Sequence, residues 1–232
     1  GGYDITYDFA DSRSGAIPKA MLEGTTGVLL VDGYSGYNHV ETVSSRRRAA
    51  CFAHVRRYLF EALKTAPLAQ QGLDLIAEIY RVDHSATERR LSPAEHLRLR
   101  TTRAGPIHER LKRWLDSELG RHPPKSPMGV ALRYALAQWP ELSVFLADAR
   151  VPLDNNASER ALRRIALGRK NYLFVGDVDA GKSLAGLYSL VATCESRGIN
   201  PFDYLVDVLS RVQDHPANAI DELLPGPWAR AR

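Results

Sequence analysis

The stretch Gly27-Val28-Leu29-Leu30-Val31-Asp32-Gly33-Tyr34-Ser35-Gly36-Tyr37 decides the fold. Four apolar residues in a row behind a glycine read as a strand covered on both faces, as at the centre of a helix-flanked sheet. The following Asp-Gly, with a second glycine at Gly36, ends it in a sharp turn. Working outward, Tyr3-Asp4-Ile5-Thr6-Tyr7-Asp8-Phe9 alternates aromatic or apolar with polar, the period of a half-buried strand. Pro18 to Leu22 reads as a short helix and Ala49 to Cys51 as a third short strand. From His54 to about Ala149 the spacing is helical, as in Leu73, Ile76, Ile79 and Tyr80, with breaks expected at Pro93, Pro106 and His122-Pro123-Pro124. Beyond Pro152 come a helix capped at Asn156, an aromatic strand Asn171 to Val175, and helices from about Ser183 to Ser196 and from Pro201 to Gln213. An α/β domain interrupted by a helical block is the architecture these elements imply, since roughly 90 residues are too many for a loop.

The chain has 232 residues, 44% of them apolar, enough for a real core. Its apolar runs are far shorter than the roughly 20 residues that span a bilayer, and Gly1-Gly2-Tyr3-Asp4 opens no signal peptide, so neither a membrane nor a secreted protein is expected. Two cysteines, Cys51 and Cys194, make no disulfide framework and suit a reducing cytoplasm. A net charge of +4 hints at an anionic partner, and its placement is more telling. Ser44 to Phe60 holds Arg46, Arg47, Arg48, Arg56 and Arg57 with no acid. Val151 to Val175 sets Arg160, Arg163, Arg164, Arg169 and Lys170 against Asp154 and Glu159. Phe202 to Pro225 is acidic, with Arg211 its one base. Arginine forks match phosphate oxygens, although a GC-rich genome favours arginine equally.

Three places could carry chemistry. Asp32, where a buried strand ends, stands where α/β folds display catalytic carboxylates, or else it makes an Asx turn with the following backbone. Glu159 is either the capping-box partner of Asn156 or a metal-ligand acid whose helix face also carries Arg163. Gly176-Asp177-Val178-Asp179-Ala180-Gly181-Lys182-Ser183 has the spacing of a phosphate loop, which makes a nucleotide-binding protein one alternative. Against it, Asp177 and Asp179 would repel phosphates, and no later apolar strand ends in an acid. Cys51-Phe52-Ala53-His54 holds half of a zinc spacing, and the plainer reading is a buried cysteine and a histidine that opens a helix.

Four blocks, Leu30 to Tyr37, Ala50 to Arg57, Leu153 to Arg163 and Leu167 to Phe174, together with Asp221 to Pro225 and Trp228, resemble the transposases of bacterial insertion sequence family 66 in that family's order. The likeness runs from about Ser12 to Trp228. It implies an RNase H-like fold with an all-α insertion: residues 1–60 and 151–200 as the two parts of the catalytic domain, 61–150 as the insertion and 201–232 as a helical tail. It further implies metal-dependent cleavage and transfer of DNA strands at insertion-sequence ends, with Mg2+ or Mn2+ held by an Asp, Asp, Glu triad. Carried over residue by residue, Asp32 is the second acid and Glu159 the third, both catalytic and both metal ligands, while Lys182 is incidental. The family's first Asp would lie upstream of Gly1, which implies a truncated chain with little strand transfer of its own. Arg56, Arg57, Arg160, Arg163, Arg164, Arg169 and Lys170 are the expected phosphate contacts on double-stranded DNA, and no small-molecule cofactor is implied. The chain is expected in the bacterial cytoplasm at the nucleoid, with a homo-oligomer left open. The other alternative is a relic or accessory protein that binds DNA without chemistry.

Overall fold

The computed structural model describes residues 3–12, 14–38, 46–171 and 174–231, the side chains of 169–171 excepted. The chain divides into two compact units, Ser14–Ala157 and Gly1–Arg13 with Ser158–Arg232.

In the first unit, α1 (Ala16–Leu22) precedes β1 (Val28–Val31), which pairs in parallel with β2 (Arg47–Ala50), Val28 opposite Arg47 and Val31 opposite Ala50. Among the described residues β1 has this one neighbour, and Val28 to Leu30 are half-buried. The fully covered central strand expected from the sequence is therefore a strand of a small sheet, whose Val28 and Leu30 pack on Ala49, Val144 and Val151.

Helices α2 (Phe52–Ala62), α3 (Ala69–Glu88), α4 (Pro93–Leu99), α5 (Gly105–Leu119), α6 (Pro127–Ala137) and α7 (Trp139–Leu142) follow. Their apolar residues recur at helical spacing, and Leu59, Ile76, Ile79, Leu111, Leu115 and Leu132 meet in one core with no exposed surface. Burying each such side chain contributes about 1.5–3 kcal/mol. Pro93 opens α4 behind Ser92, whose hydroxyl accepts from Glu95 N while the Glu95 carboxylate accepts from Ser92 N at 2.8 Å. Pro106 does not break the helix. A π-helical turn, Arg100–Ala104, joins α4 to α5 directly, with Gly105 N donating to Arg100 O, and Pro106 stands in the first turn of α5.

The second unit holds α8 (Asn156–Asn171), which crosses the boundary, and α9 (Val178–Ser196), α10 (Pro201–Arg211) and α11 (Pro225–Arg230). Cys194, Tyr204, Val208, Leu223 and Trp228 form its core, where Tyr204 donates to Leu223 O at 2.9 Å and Trp228 to Asp207 Oδ2 at 2.7 Å. Tyr3 to Phe9 is extended but is no strand. Its partner is α9: the N–H groups of Tyr3, Ile5 and Tyr7 donate to the hydroxyls of Ser196, Thr193 and Ser189 at 3.2, 3.0 and 2.8 Å. Alternate residues of an extended chain lie about 6.6 Å apart and one helical turn is about 5.4 Å, so hydroxyls three or four positions apart can serve every second N–H. The strand expected at Asn171 to Val175 is also corrected. Asn171 ends α8, Phe174 and Val175 are irregular, and Tyr172 and Leu173 lie outside the described residues. Overall the described residues are mostly helical with one small parallel sheet, a make-up that α-rich and α/β folds share.

Candidate functional site

Asp32 follows the last residue of β1, and its Oδ1 accepts from Tyr34 N at 3.1 Å, so the Asx turn expected of the plainer reading is present. This turn rests on the helical block. A Cβ added to Gly33 would stand 2.8 Å from Tyr134 Cε2 and 3.0 Å from Gln138 Nε2, so α6 approaches the backbone as closely as glycine permits. Burial pushes the Tyr37 phenol up, with the Asp32 charge adding to it, and burial pushes the Tyr134 phenol up against its hydrogen bonds to Gln138 and Gly33. Arg48, counted from sequence with the basic stretch, is buried and donates to Asn38 Oδ1, with Glu141 at 3.7 Å. Arg56 and Arg57 point outward from α2, the latter with its guanidinium 5.7 Å from the Tyr58 ring centre.

The approach to α8 is anchored at successive residues. Arg100 donates to Val151 O at 2.9 Å, Phe52 N donates to Leu153 O at 2.9 Å, and Tyr80 donates to Asp154 Oδ2 at 2.7 Å. Asp154 Oδ1 then accepts from Asn156 N at 3.1 Å, which fixes the first residue of the helix. Burial and this carboxylate together push the Tyr80 phenol far up, so it stays a donor at any ordinary pH. Sequence reading singled out none of Arg100, Tyr80 or Asp154 as an anchor. The spacing Leu73, Ile76, Ile79, Tyr80 marked Tyr80 only as part of an apolar face.

Asn156 is itself the first helical residue rather than the cap, which puts Glu159 fourth in α8 instead of third. Glu159 and Arg163, four residues apart, are both exposed on one helix face, with Arg160 exposed beside them. Arg164 pairs with Glu195 of α9, which raises its already high pKa. Arg169 and Lys170 lie outside the described side chains. Asp32 belongs to the first unit and Glu159 to the second. Among the described residues no group of three or more His, Cys, Asp or Glu is placed to hold a metal ion.

Helix α9 begins at Val178, inside the stretch that a phosphate loop would keep free, and Asp177 caps it by accepting from Ala180 N at 2.8 Å. Gly181 has a packing reason of its own, because a Cβ there would stand 2.7 Å from the Phe9 ring. Cys51 and His54 are both buried at the start of α2, and burial pushes the Cys51 thiol up, away from thiolate chemistry.

Residues 4–183 match the family described as "Transposase IS66 family", and residues 189–226 match the "IS66 C-terminal element". Two proteins of Sinorhizobium fredii (strain NBRC 101917 / NGR234), uncharacterized protein y4hP and uncharacterized protein y4jD, are 31% and 32% identical to it, each over 97% of this chain and over 44% and 45% of their own length. The chain thus spans less than half the length of these curated relatives. No solved structure matches it. The two matches follow one another along the chain and take in the Asp32 turn, the Glu159 helix and the core residues Cys194, Tyr204, Val208 and Leu223, so this protein belongs to the IS66 transposase family.

Proposed function

We propose that this chain is the acid-bearing part of a DNA transposase that cleaves DNA at insertion-sequence ends and joins it to a target. In this reading residues 1–60 and 151–200 belong to an RNase H-like catalytic domain of the DDE type, 61–150 are its helical insertion and 201–232 its tail. Asp32 and Glu159 are two of the three acids. The reading is carried by one observation: in a member of this family, Glu159 lies exposed on the first turns of α8 with Arg160 and Arg163 beside it. A carboxylate among arginines binds a cation while its neighbours hold the phosphate that the cation would meet.

Carboxylate oxygens are the donors Mg2+ and Mn2+ prefer, so the chemistry of Asp32 and Glu159 fits such an ion. Bound there, a divalent ion would supply charge stabilisation for phosphodiester cleavage. The chain's own residues do the rest. The Tyr34 N–H orients the Asp32 carboxylate, and Arg56, Arg57, Arg160, Arg163, Arg164, Arg169 and Lys170 hold and steer DNA phosphates. Homo-oligomeric assembly and a place at the bacterial nucleoid belong to the same reading.

Mn2+ binding to the full chain, read from water-proton relaxation, tests it. The expected result is weak binding to the wild type, about tenfold weaker in Asp32→Asn and in Glu159→Gln, with DNA binding kept in both. Metal binding left unchanged by both substitutions sinks the assignment.

A further inference from the structure

The helical block carries a charged feature that the acids and their arginines do not use. Helices α3 and α5 run antiparallel, as the pairs Glu78 with Arg110, at 3.3 Å, and Gln71 with Trp114, at 3.0 Å, require. Between them run two successive open depressions of about 650 and 520 Å3, one at the Arg89 and Arg103 end and one at the Trp114 end. Five arginines line them, Arg81, Arg89, Arg103, Arg110 and Arg113, all exposed, against the acids Asp74 and Glu78. Glu78 pairs with Arg110, and among the described residues Arg81, Arg103 and Arg113 have no carboxylate at ion-pair distance.

We propose that this crevice between α3 and α5 is a second docking surface for the phosphate backbone of double-stranded DNA, separate from the arginines of α2 and α8. The inference rests on the reading that DNA is this protein's partner. The arginines are spread along a line rather than gathered around a point: Arg103 to Arg113 covers about 15 Å of helix. A single small anion would need converging donors in a closed pocket, whereas these side chains stand exposed along open depressions. A linear array of forks fits a linear array of charges, and B-DNA presents about nine phosphates over the same 15 Å. The Ser85 and Thr102 hydroxyls on the walls donate to Val82 O and Arg98 O within their own helices, so the arginines are what the surface offers to phosphates, and such contacts fix backbone register without reading bases. The surface therefore adds affinity and orientation but no sequence preference.

The test is the salt dependence of DNA binding by the full chain, measured on duplexes of unrelated sequence. Each phosphate contact contributes about 0.9 to the slope of log K against log salt. For Arg81→Gln/Arg103→Gln/Arg113→Gln the slope should fall by about two to three, with affinity down about tenfold or more on every sequence. The triple Lys variant should keep the slope, because ammonium groups still neutralise phosphates. An unchanged slope in the Gln variant overturns the inference, and so does an equal loss in the Lys variant, which would mean lost packing rather than lost charge. Arg56→Gln/Arg57→Gln/Arg160→Gln/Arg163→Gln is measured alongside. If that variant alone loses DNA binding, the crevice is overturned while the transposase reading stands. Absence of DNA binding by the wild type overturns the crevice as well, and the Mn2+ measurement then decides the acids on their own.

Discussion

Arg100 Nε donates to Asp83 Oδ1 at 2.7 Å, inside the π-helical turn that joins α4 to α5. The same guanidinium donates through Nη1 to the carbonyls of Phe145, Asp148 and Val151, at 3.1, 2.9 and 2.9 Å, and only 1% of Arg100 is exposed. His96 Nε2 reaches the same Asp83 oxygen at 2.6 Å. One buried cation thus ties the bulge in the helical block to the chain that leads into α8. Arg100→Met leaves three carbonyls without their donor and Asp83 with His96 as its remaining partner, and losing the buried guanidinium in this way costs about 3 kcal/mol. Urea unfolding followed by the fluorescence of Trp114 and Trp139, both in this unit, should show that loss. A change under about 1 kcal/mol would mean that water replaces the guanidinium at no net cost.

Acid should weaken the same unit through His108. Its ring is buried and stacked on Trp139, centroids 4.1 Å apart, and among the described residues Nδ1 has no hydrogen-bond partner. Burial pushes its pKa down to about 4, whereas the unfolded imidazole titrates near 6.5. Between those values the unfolded chain binds a proton that the folded chain does not. The contribution is therefore complete above pH about 6.5 and is lost as pH falls toward 4, by about 3 kcal/mol at most. Unfolding midpoints measured from pH 7 to 4 should fall, and His108→Leu should flatten the curve. An equally steep curve in the variant would assign the acid sensitivity to other groups.

The boundaries legible in the sequence were those set by local chemistry. Four apolar residues ending at Asp32, Ser92-Pro93 with Glu95, and the spacing of Ile76, Ile79, Leu111 and Leu115 each state their own structure, because capping and amphipathic spacing are short-range. What was not legible depended on a distant partner. The alternation in Tyr3 to Phe9 correctly marks Ile5, Tyr7 and Phe9 as the half-buried side, yet period two says nothing about whether the neighbour is a strand or a row of helix hydroxyls. Pro106 reads as a break unless a π-turn precedes it, and nothing local in Arg100 to Ala104 announces one. At the candidate site, Asp32 and Glu159 were nameable from their turn and helix, but Tyr80 acts on Asp154 across 74 residues and Arg100 on Val151 across 51, and no local spacing encodes that.

Tyr80→Phe isolates the anchor at the start of α8. The substitution keeps the ring and removes only the hydroxyl that donates to Asp154 Oδ2. Asp154 then holds Asn156 N with a carboxylate free to turn, at a cost of about 1 kcal/mol. Hydrogen exchange should show faster amides at the beginning of α8, with the core amides of α3 unchanged. Uniform acceleration through both helices would mean instead that the hydroxyl supports the whole unit.

The hydroxyls of α9 give the clearest test of how the segment before Phe9 is held. Ser189 and Thr193 accept from the N–H groups of Tyr7 and Ile5, and they are spaced one helical turn apart on α9. Ser189→Ala/Thr193→Val keeps helix propensity and side-chain volume close to native but leaves two part-buried N–H groups without acceptors. Each such loss costs about 1–3 kcal/mol, which is more than the single bond from the Tyr7 hydroxyl to Ala161 O, at 2.7 Å, supplies in return. The segment should then detach while α9 stays folded. Limited proteolysis should cut the double variant within residues 3–9 at least tenfold faster than the wild type, with unchanged helical circular dichroism. Equal cleavage rates would show that the apolar contacts of Ile5, Tyr7 and Phe9, with the bonds of Tyr3 to Ser196, of Arg197 to Asp4 and of the Tyr7 hydroxyl to Ala161 O, suffice to hold the segment, and that these two hydroxyls only satisfy a backbone already in place.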